Sequence, residues 1–386
     1  MADAVSYPRI YLTWDNVAFY KRWCTPDEWA EKIADLNIRY VEASADNEHD
    51  PLFMGPDYFH AWIGQVRDAE RRYDIRVANL YSGHGTYSTL GMTHPDARVR
   101  ENMMNNWFYP MVEAAGELGC GMGFFAHAFP HRVLQSQATY GEYVDLLIEQ
   151  LVQLNRHAGE VGCRELGLEQ MYTPHQYPWR INDTRELLRR VTQESGRNFY
   201  FTEDVGHHQR KFQRPSEGQY LTTPYPDLWL GSDKAFALAR ERGISAWPSI
   251  EEDMDKNPQL FASAKDCDCY QWLSELGCYS PIIHLQQTDG QTSAHISFTE
   301  KTNAWGIINP LKVLSALKAS YDRPIDPGMP DRCTDIYLTL ELYSGTASII
   351  EQDWVGFEES ARYWRNAIPE DGLPLDELVA RLSAKA

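Results

Sequence analysis

The chain predicts a single (β/α)8 TIM barrel, an α/β fold occupying residues 1–386, on three observations. Strand-like and helix-like segments alternate from one end to the other, and the strand-like ones number eight. Four of them end on a residue able to bind a metal. They are Leu166-Gly167-Leu168-Glu169, Phe199-Tyr200-Phe201-Thr202-Glu203-Asp204, Pro281-Ile282-Ile283-His284 and Ile336-Tyr337-Leu338-Thr339-Leu340-Glu341. Reactive side chains at the carboxyl ends of successive strands are how such a barrel assembles its site. Finally, no internal repeat or low-complexity tract interrupts the series.

Residues 9–14 read as the first strand. The helix after it opens on a capping box, with Thr25 at the N-cap, Pro26 at N1 and Glu28 at N3. Trp29, Ile33 and Leu36 then fall on one face. Residues 38–43 form the second strand and 75–81 the third. Residues 96–118 are helical, interrupted at Pro110 and stopped by Gly119. The fourth strand covers 121–126. Thr139 and Glu142 suggest a second capping box, opening a helix that runs to residue 155. The last four strands end at Glu169, Asp204, His284 and Glu341, with helical runs at 184–195, 233–242 and 311–320. The stretch from Asp204 to His284 is about twice a β/α unit. The excess, about 209–265, carries Pro215, Gly218, Pro224 and Pro226. It reads as an insertion between strands 6 and 7, on the active-site face, with one extra helix and too little length for a core of its own.

Composition narrows the function classes. With 36 basic and 55 acidic residues the formal charge is −19, the opposite of a nucleic-acid footprint. A local basic cluster or a metal can still offset that field for a phosphorylated metabolite. No run approaches the roughly 18 apolar residues of a membrane helix, and the first residues have neither a basic start nor an apolar core. A cytoplasmic protein without membrane or nucleic-acid partners is the expectation, with assembly into a homo-oligomer left open. The seven cysteines are scattered, with no Cys-x-x-Cys pair, and read as reduced thiols.

Glu169, Asp204, His284 and Glu341 together make a set of three carboxylates and one imidazole. That set suits one divalent cation such as Mn²⁺ or Mg²⁺. In Asp204-Val205-Gly206-His207, Gly206 permits a tight turn that lets His207 face the same cavity, as a fifth ligand or a substrate contact. His208 is expected to face solvent. Around this centre, Glu42 at the end of strand two fits a substrate hydroxyl or a ligating histidine. His84 and His127, on mouth loops, are candidate substrate contacts. Trp14, Tyr81 and Phe125 offer stacking surfaces, although core packing is the commoner use of such rings. Arg180 and Arg210-Lys211 are the cations placed to meet a phosphate.

The order Glu…Asp-x-Gly-His…His…Glu resembles that of the xylose-isomerase-like TIM barrels, a superfamily of sugar phosphate isomerases and epimerases. The resemblance runs from Trp14-Asp15-Asn16 to Glu341-Leu342-Tyr343. It implies a site for one Mn²⁺, Co²⁺ or Mg²⁺ on Glu169, Asp204, His284 and Glu341, with Glu169 and Glu341 also serving as the proton-transfer pair. Residues 41–48, 79–87 and 168–176 are similar to a branch that inverts C3 of a ketotetrose phosphate. Two departures stand out. His175 occupies the place of a second glutamate found in the ketohexose epimerases, which leaves it as a candidate substrate contact. Their arginine after the strand-seven histidine has no counterpart; His295 arrives later.

The chemistry so implied is proton transfer next to a carbonyl, through an enediolate. One glutamate removes the C3 proton and the other returns a proton from the opposite face, since one base alone restores the original configuration. An aldose–ketose isomerase uses the same enediolate, and a lyase or dehydratase acting on a sugar or inositol ketone is a further alternative. Abasic-site endonucleases share the barrel but need more ligands and a basic face.

Overall fold

The computed structural model describes residues 6–83, 91–126, 128–208, 252, 254–290, 292–345 and 347–385. The expected helix at 233–242 and most of the 209–265 insertion lie outside the described residues.

Eight parallel strands close on themselves: β1 (Arg9–Asp15), β2 (Tyr40–Ser44), β3 (Arg76–Tyr81), β4 (Gly121–Phe124), β5 (Leu166–Glu169), β6 (Tyr200–Asp204), β7 (Ile282–Leu285) and β8 (Asp335–Leu340). Each pairs with the next, and β1 pairs with both β8 and β2. The period-2 rule then decides the two faces. Ile10, Leu12 and Trp14 of β1 point outward and are fully buried under the helices. Tyr11, Thr13 and Asp15 alternate with them toward the lumen. At the amino end of the barrel Tyr11 packs on Tyr40 and Tyr337, each 5.0 Å away between ring centres.

Two features of the lumen place the site. β3 slips register against β2 between Val41 and Glu42, so that Glu42 faces Asn79 and Ala78 is the extra residue. Asn79 Nδ2 donates to Glu42 Oε2 at 2.5 Å. On the far side, Gly121, Gly123 and Gly167 leave room for their neighbours. A Cβ on Gly123 would stand 2.9 Å from Tyr81 and 3.0 Å from Asn79, and one on Gly167 3.0 Å from Thr202 Oγ1.

The Thr25 capping box is present, and the helix Pro26–Asp35 starts where expected. The second box is displaced. Ser136, not Thr139, is the N-cap, its hydroxyl accepting from the Thr139 amide at 3.1 Å, so the helix Gln137–Glu160 begins earlier and runs longer. The break at Pro110 takes the form of a π-turn over Met104–Phe108 between the helices Ala97–Met103 and Tyr109–Leu118. Proline has no N–H for the carbonyl one turn back, and a wider turn absorbs the loss.

The C-terminal segment closes the barrel at its amino end, a feature that no periodicity in the sequence marks. After the helix Ile350–Ala367, the short strand β9 (Leu373–Pro374) pairs antiparallel with Arg9 and Ile10 of β1. β2 takes the same strand at Thr13 to Asp15. The Asp371 carboxylate caps the Leu12 amide at 2.9 Å and is gripped by both terminal nitrogens of Arg365. Among the described residues no helix is long and apolar enough to cross a membrane, and all seven cysteines are free thiols.

Candidate active site

Glu169 and Asp204 are the last residues of β5 and β6, and His284 lies one residue before the end of β7. Glu341 follows β8 directly, its amide continuing the ladder to the Leu285 carbonyl. All four are buried, and each offers an atom within 4.8 Å of the other three. The structure thus gathers the four residues that the strand-end pattern singled out.

His284 shows what the cluster suits. Its Nε2 lies 2.7 Å from Glu42 Oε1, a carboxylate, and so carries the proton. Its Nδ1 lies 3.1 Å from Glu341 Oε2 and 3.3 Å from Glu169 Oε1, and although burial opposes a charged ring, Glu341 and Glu42 raise the imidazole well above its usual range. Neither Nδ1 nor Glu341 Oε2 makes a hydrogen bond, though both are buried. An imidazole nitrogen and two carboxylates converging in a dry site make the environment of a cation, and the donor set fits a divalent one.

The electrostatics agree. Burial and the charge of Glu341 raise the Asp204 carboxyl to about 7. Burial also opposes charge on Glu341, but the His284 and His295 imidazoles hold its carboxyl well below the usual range. Asp15, beneath them, is pushed well up by burial and by Glu42 and Glu341. So many acidic groups in one enclosure call for a positive charge among them.

Asp204 is held firmly: Oδ1 accepts from the Gly206 amide at 2.6 Å, and Gln286 Nε2 lies 3.0 Å from both oxygens. The expected turn forms, with the His207 amide on the Asp204 carbonyl at 3.1 Å, and Gly206 also gives space. A Cβ there would stand 2.4 Å from the Gln286 amide carbon, so glycine admits Gln286 to Asp204. His207 does face the site. Its Nδ1 is 2.9 Å from the Gln170 carbonyl and its Nε2 3.0 Å from Asp204 Oδ2. Burial lowers its pKa to about 4.

Other expectations fare differently. His208 is buried rather than solvent-facing: it pairs with Glu203 Oε1 at 2.8 Å and lies over Trp272, because Glu203 points outward from β6 and the turn after the strand brings His208 to it beside the helix Cys269–Leu276. Glu42 is fully enclosed below His284 and is absent from the cleft lining. His175 also lies off the cleft, its Nδ1 on the Phe129 carbonyl and its ring 5.8 Å from His131. Arg180 is committed to Asp183 and to the carbonyls of Pro258 and Phe261. His84, His127, Arg210 and Lys211 lie outside the described residues. Tyr81 and Phe125 line the cleft, and the Tyr81 hydroxyl donates to Glu169. Trp14 is core, packed on Phe19 and Phe357.

The structure adds Tyr172, His295 and Tyr343 to the cleft wall. Asp204, His207 and His295 form a second group of converging atoms, again within 4.8 Å of one another. Tyr172, His295 and Tyr343 sit on loops without periodicity, so no strand-end signal marks them.

A model of the family described as Xylose isomerase-like TIM barrel matches residues 30–246. The D-erythrulose 1-phosphate 3-epimerase of Brucella abortus is 23% identical over 302 residues, covering 76% of this chain and 79% of that protein. Among solved structures, a provisionally named xylose isomerase of Rhodospirillum rubrum superposes with a TM-score of 0.66 at 16% identity, over 92% of this chain and 99% of the other. A D-tagatose 3-epimerase-like protein does so with a TM-score of 0.54 at 15% identity, over 93% and 98%.

Proposed function

This chain belongs to the xylose isomerase-like TIM barrel family, and from that premise we propose that it is a divalent-metal-dependent 3-epimerase of a small ketose or ketose phosphate, of the erythrulose 1-phosphate kind. The likeness to the Brucella abortus epimerase supports the reaction class. One observation carries the reading. Glu169 and Glu341 approach the same nitrogen of His284, at 3.3 and 3.1 Å, from strands β5 and β8. Two carboxylates that bracket one point can serve the two faces of a carbon held there.

Glu169, Asp204, His284 and Glu341 would hold the cation. When bound, Mn²⁺, Co²⁺ or Mg²⁺ would act as a Lewis acid on the substrate carbonyl. One glutamate removes the C3 proton, leaving an enediolate, and the other delivers a proton to the opposite face. Tyr81, whose hydroxyl donates to Glu169, fixes that carboxylate's orientation. Glu42 keeps His284 Nδ1 turned inward. Phe125, Tyr172 and Tyr343 wall the cleft and limit water at the reacting carbon. The free thiols suit a reducing, cytoplasmic setting.

The test is metal-loaded protein incubated with a panel of ketoses and ketose phosphates in D₂O, followed by NMR. Inversion at C3 with one deuterium incorporated is expected. Carbonyl migration would instead identify an aldose–ketose isomerase. Glu169→Gln and Glu341→Gln should each lower turnover by about 10²- to 10⁴-fold, the range of a lost acid–base group. Full turnover in either variant would sink the two-carboxylate mechanism.

A further inference from the structure

The loop after β7 begins with two glutamines that do different work. Gln287 ties the loop to its own far end, its side-chain amide on Asn303 Oδ1 at 2.8 Å and on the Ile308 carbonyl at 3.1 Å. Gln286 is fully buried and turns to Asp204. Its Nε2 lies 3.0 Å from both carboxylate oxygens and donates to Ser293 Oγ at 2.9 Å. Its Oε1 accepts from the His295 amide at 2.8 Å. A carboxylate only accepts and a backbone amide only donates, so the group between them must do both. Glutamine does, and both of its ends are thereby fixed.

The cleft wall hangs on that side chain. His295 lines the cleft in a left-handed backbone conformation, φ 49°, which is uncommon for a residue other than glycine. Its carbonyl accepts from the Tyr343 amide at 3.2 Å, and its ring lies 3.9 Å from that of Tyr343. Ser293 is hydrogen-bonded in turn to the Tyr172 side chain. Tyr172, His295 and Tyr343, from the loops after β5, β7 and β8, therefore all trace back to the residue that grips Asp204. Gly206 completes the arrangement. With a Cβ there only 2.4 Å from the Gln286 amide carbon, any other residue would close the passage.

We propose that Gln286 is a positioning residue that fastens the cleft wall to Asp204, so that cation binding and the order of the wall are coupled. A cation on Asp204 fixes the carboxylate, the carboxylate fixes the Gln286 amide, and the amide fixes the loop. The inference rests on the metal-binding reading of the site.

The experiment follows amide hydrogen exchange in the peptide that carries the His295 N–H, without metal and at Mn²⁺ saturating for each protein. Mn²⁺ affinity is measured beside it by calorimetry. The proteins are the wild type, Gln286→Ala, Gly206→Ala and the double variant. In the wild type Mn²⁺ should slow exchange by about tenfold, as expected of a loop that opens less often. In Gln286→Ala exchange should be fast and indifferent to Mn²⁺, and affinity should fall by about 10- to 100-fold, the usual contribution of a ligand's partner. Gly206→Ala keeps the glutamine but displaces it, and should reproduce both effects. Should Gln286→Ala fail to fold, Gly206→Ala carries the test alone. The double variant should bind Mn²⁺ no more weakly than Gln286→Ala, because the added methyl then meets no amide. Exchange that Mn²⁺ still slows as in the wild type, in either single variant, would overturn the proposal, since a merely structural glutamine leaves that response in place. Losses of affinity that multiply in the double variant would overturn it as well. A wild type that binds no Mn²⁺ ends the metal reading and this inference with it. One that binds Mn²⁺ without any slowing of exchange removes the inference alone.

Discussion

Glu42 never meets the cleft, yet it governs the residue at the cleft's centre. Its Oε1 accepts from His284 Nε2 and its Oε2 from the Asn79 amide, which directs Nδ1 toward Glu169 and Glu341. Partners of this kind usually contribute 10- to 100-fold to metal affinity. Glu42→Gln should therefore weaken Mn²⁺ binding by about that factor in a calorimetric titration, while the folded structure persists. Affinity equal to wild type would show that His284 orients itself. Residue by residue, the sequence was most legible where position in a strand carried the message. Glu169, Asp204, His284 and Glu341 each terminate an apolar run. His295 and Tyr343 carry no such mark, because a loop fixes its residues through hydrogen bonds that no periodicity encodes. His208 was misread for a related reason: its partner Glu203 sits on the outward face of β6, under a helix.

At the level of the element, the segment after β2 holds an acidic group in an apolar setting. Trp29 and Trp62 both donate to Glu48 Oε1, and burial raises its carboxyl to about 8. In the unfolded chain the same group ionises near 4.5. Between those values the folded protein keeps a proton that the unfolded chain has released, so Glu48 costs stability progressively from about pH 4.5 to 8, and the loss levels off above that. Glu48→Gln should match wild type near pH 4.5 and exceed it at pH 9, by on the order of a few kcal/mol, in urea unfolding followed at both pH values. A difference independent of pH would show that Glu48 is charged throughout. Elements themselves were read to different depths. The Thr25 box was found intact because Pro26 and Glu28 leave little choice of register. At Ser136 two hydroxyl residues three apart competed for the N-cap, and the earlier one prevailed.

Across the whole molecule, the carboxyl ends of the barrel strands enclose five carboxyl groups, those of Glu169, Asp204, Glu341, Asp15 and Glu42. A cation that binds only the folded form stabilises it by mass action, about 2.7 kcal/mol at a hundredfold excess over Kd. Adding Mn²⁺ should raise the melting temperature by several degrees, and EDTA should reverse the gain together with any turnover. A melting temperature indifferent to both would argue against a metal at this centre. The barrel was legible because β/α alternation has few other solutions. Its closure at the amino end was not: β9 is two residues long, and its pairing with Arg9 and Ile10 joins segments more than 360 positions apart.

The glycines of β4 and β5 bear on how this protein can change. Tyr81 leans into the space that a side chain at Gly123 would take, and from there its hydroxyl meets Glu169. Thr202 uses the space over Gly167 in the same way. The floor of the cleft is therefore shaped by atoms that its strands omit, and a single added methyl displaces the groups packed around Glu169. Variation there is closed to drift and to design alike. A lineage, or an engineer, wishing to admit a longer sugar would turn to the loops that carry His207, His295 and Tyr343, which also line the cleft.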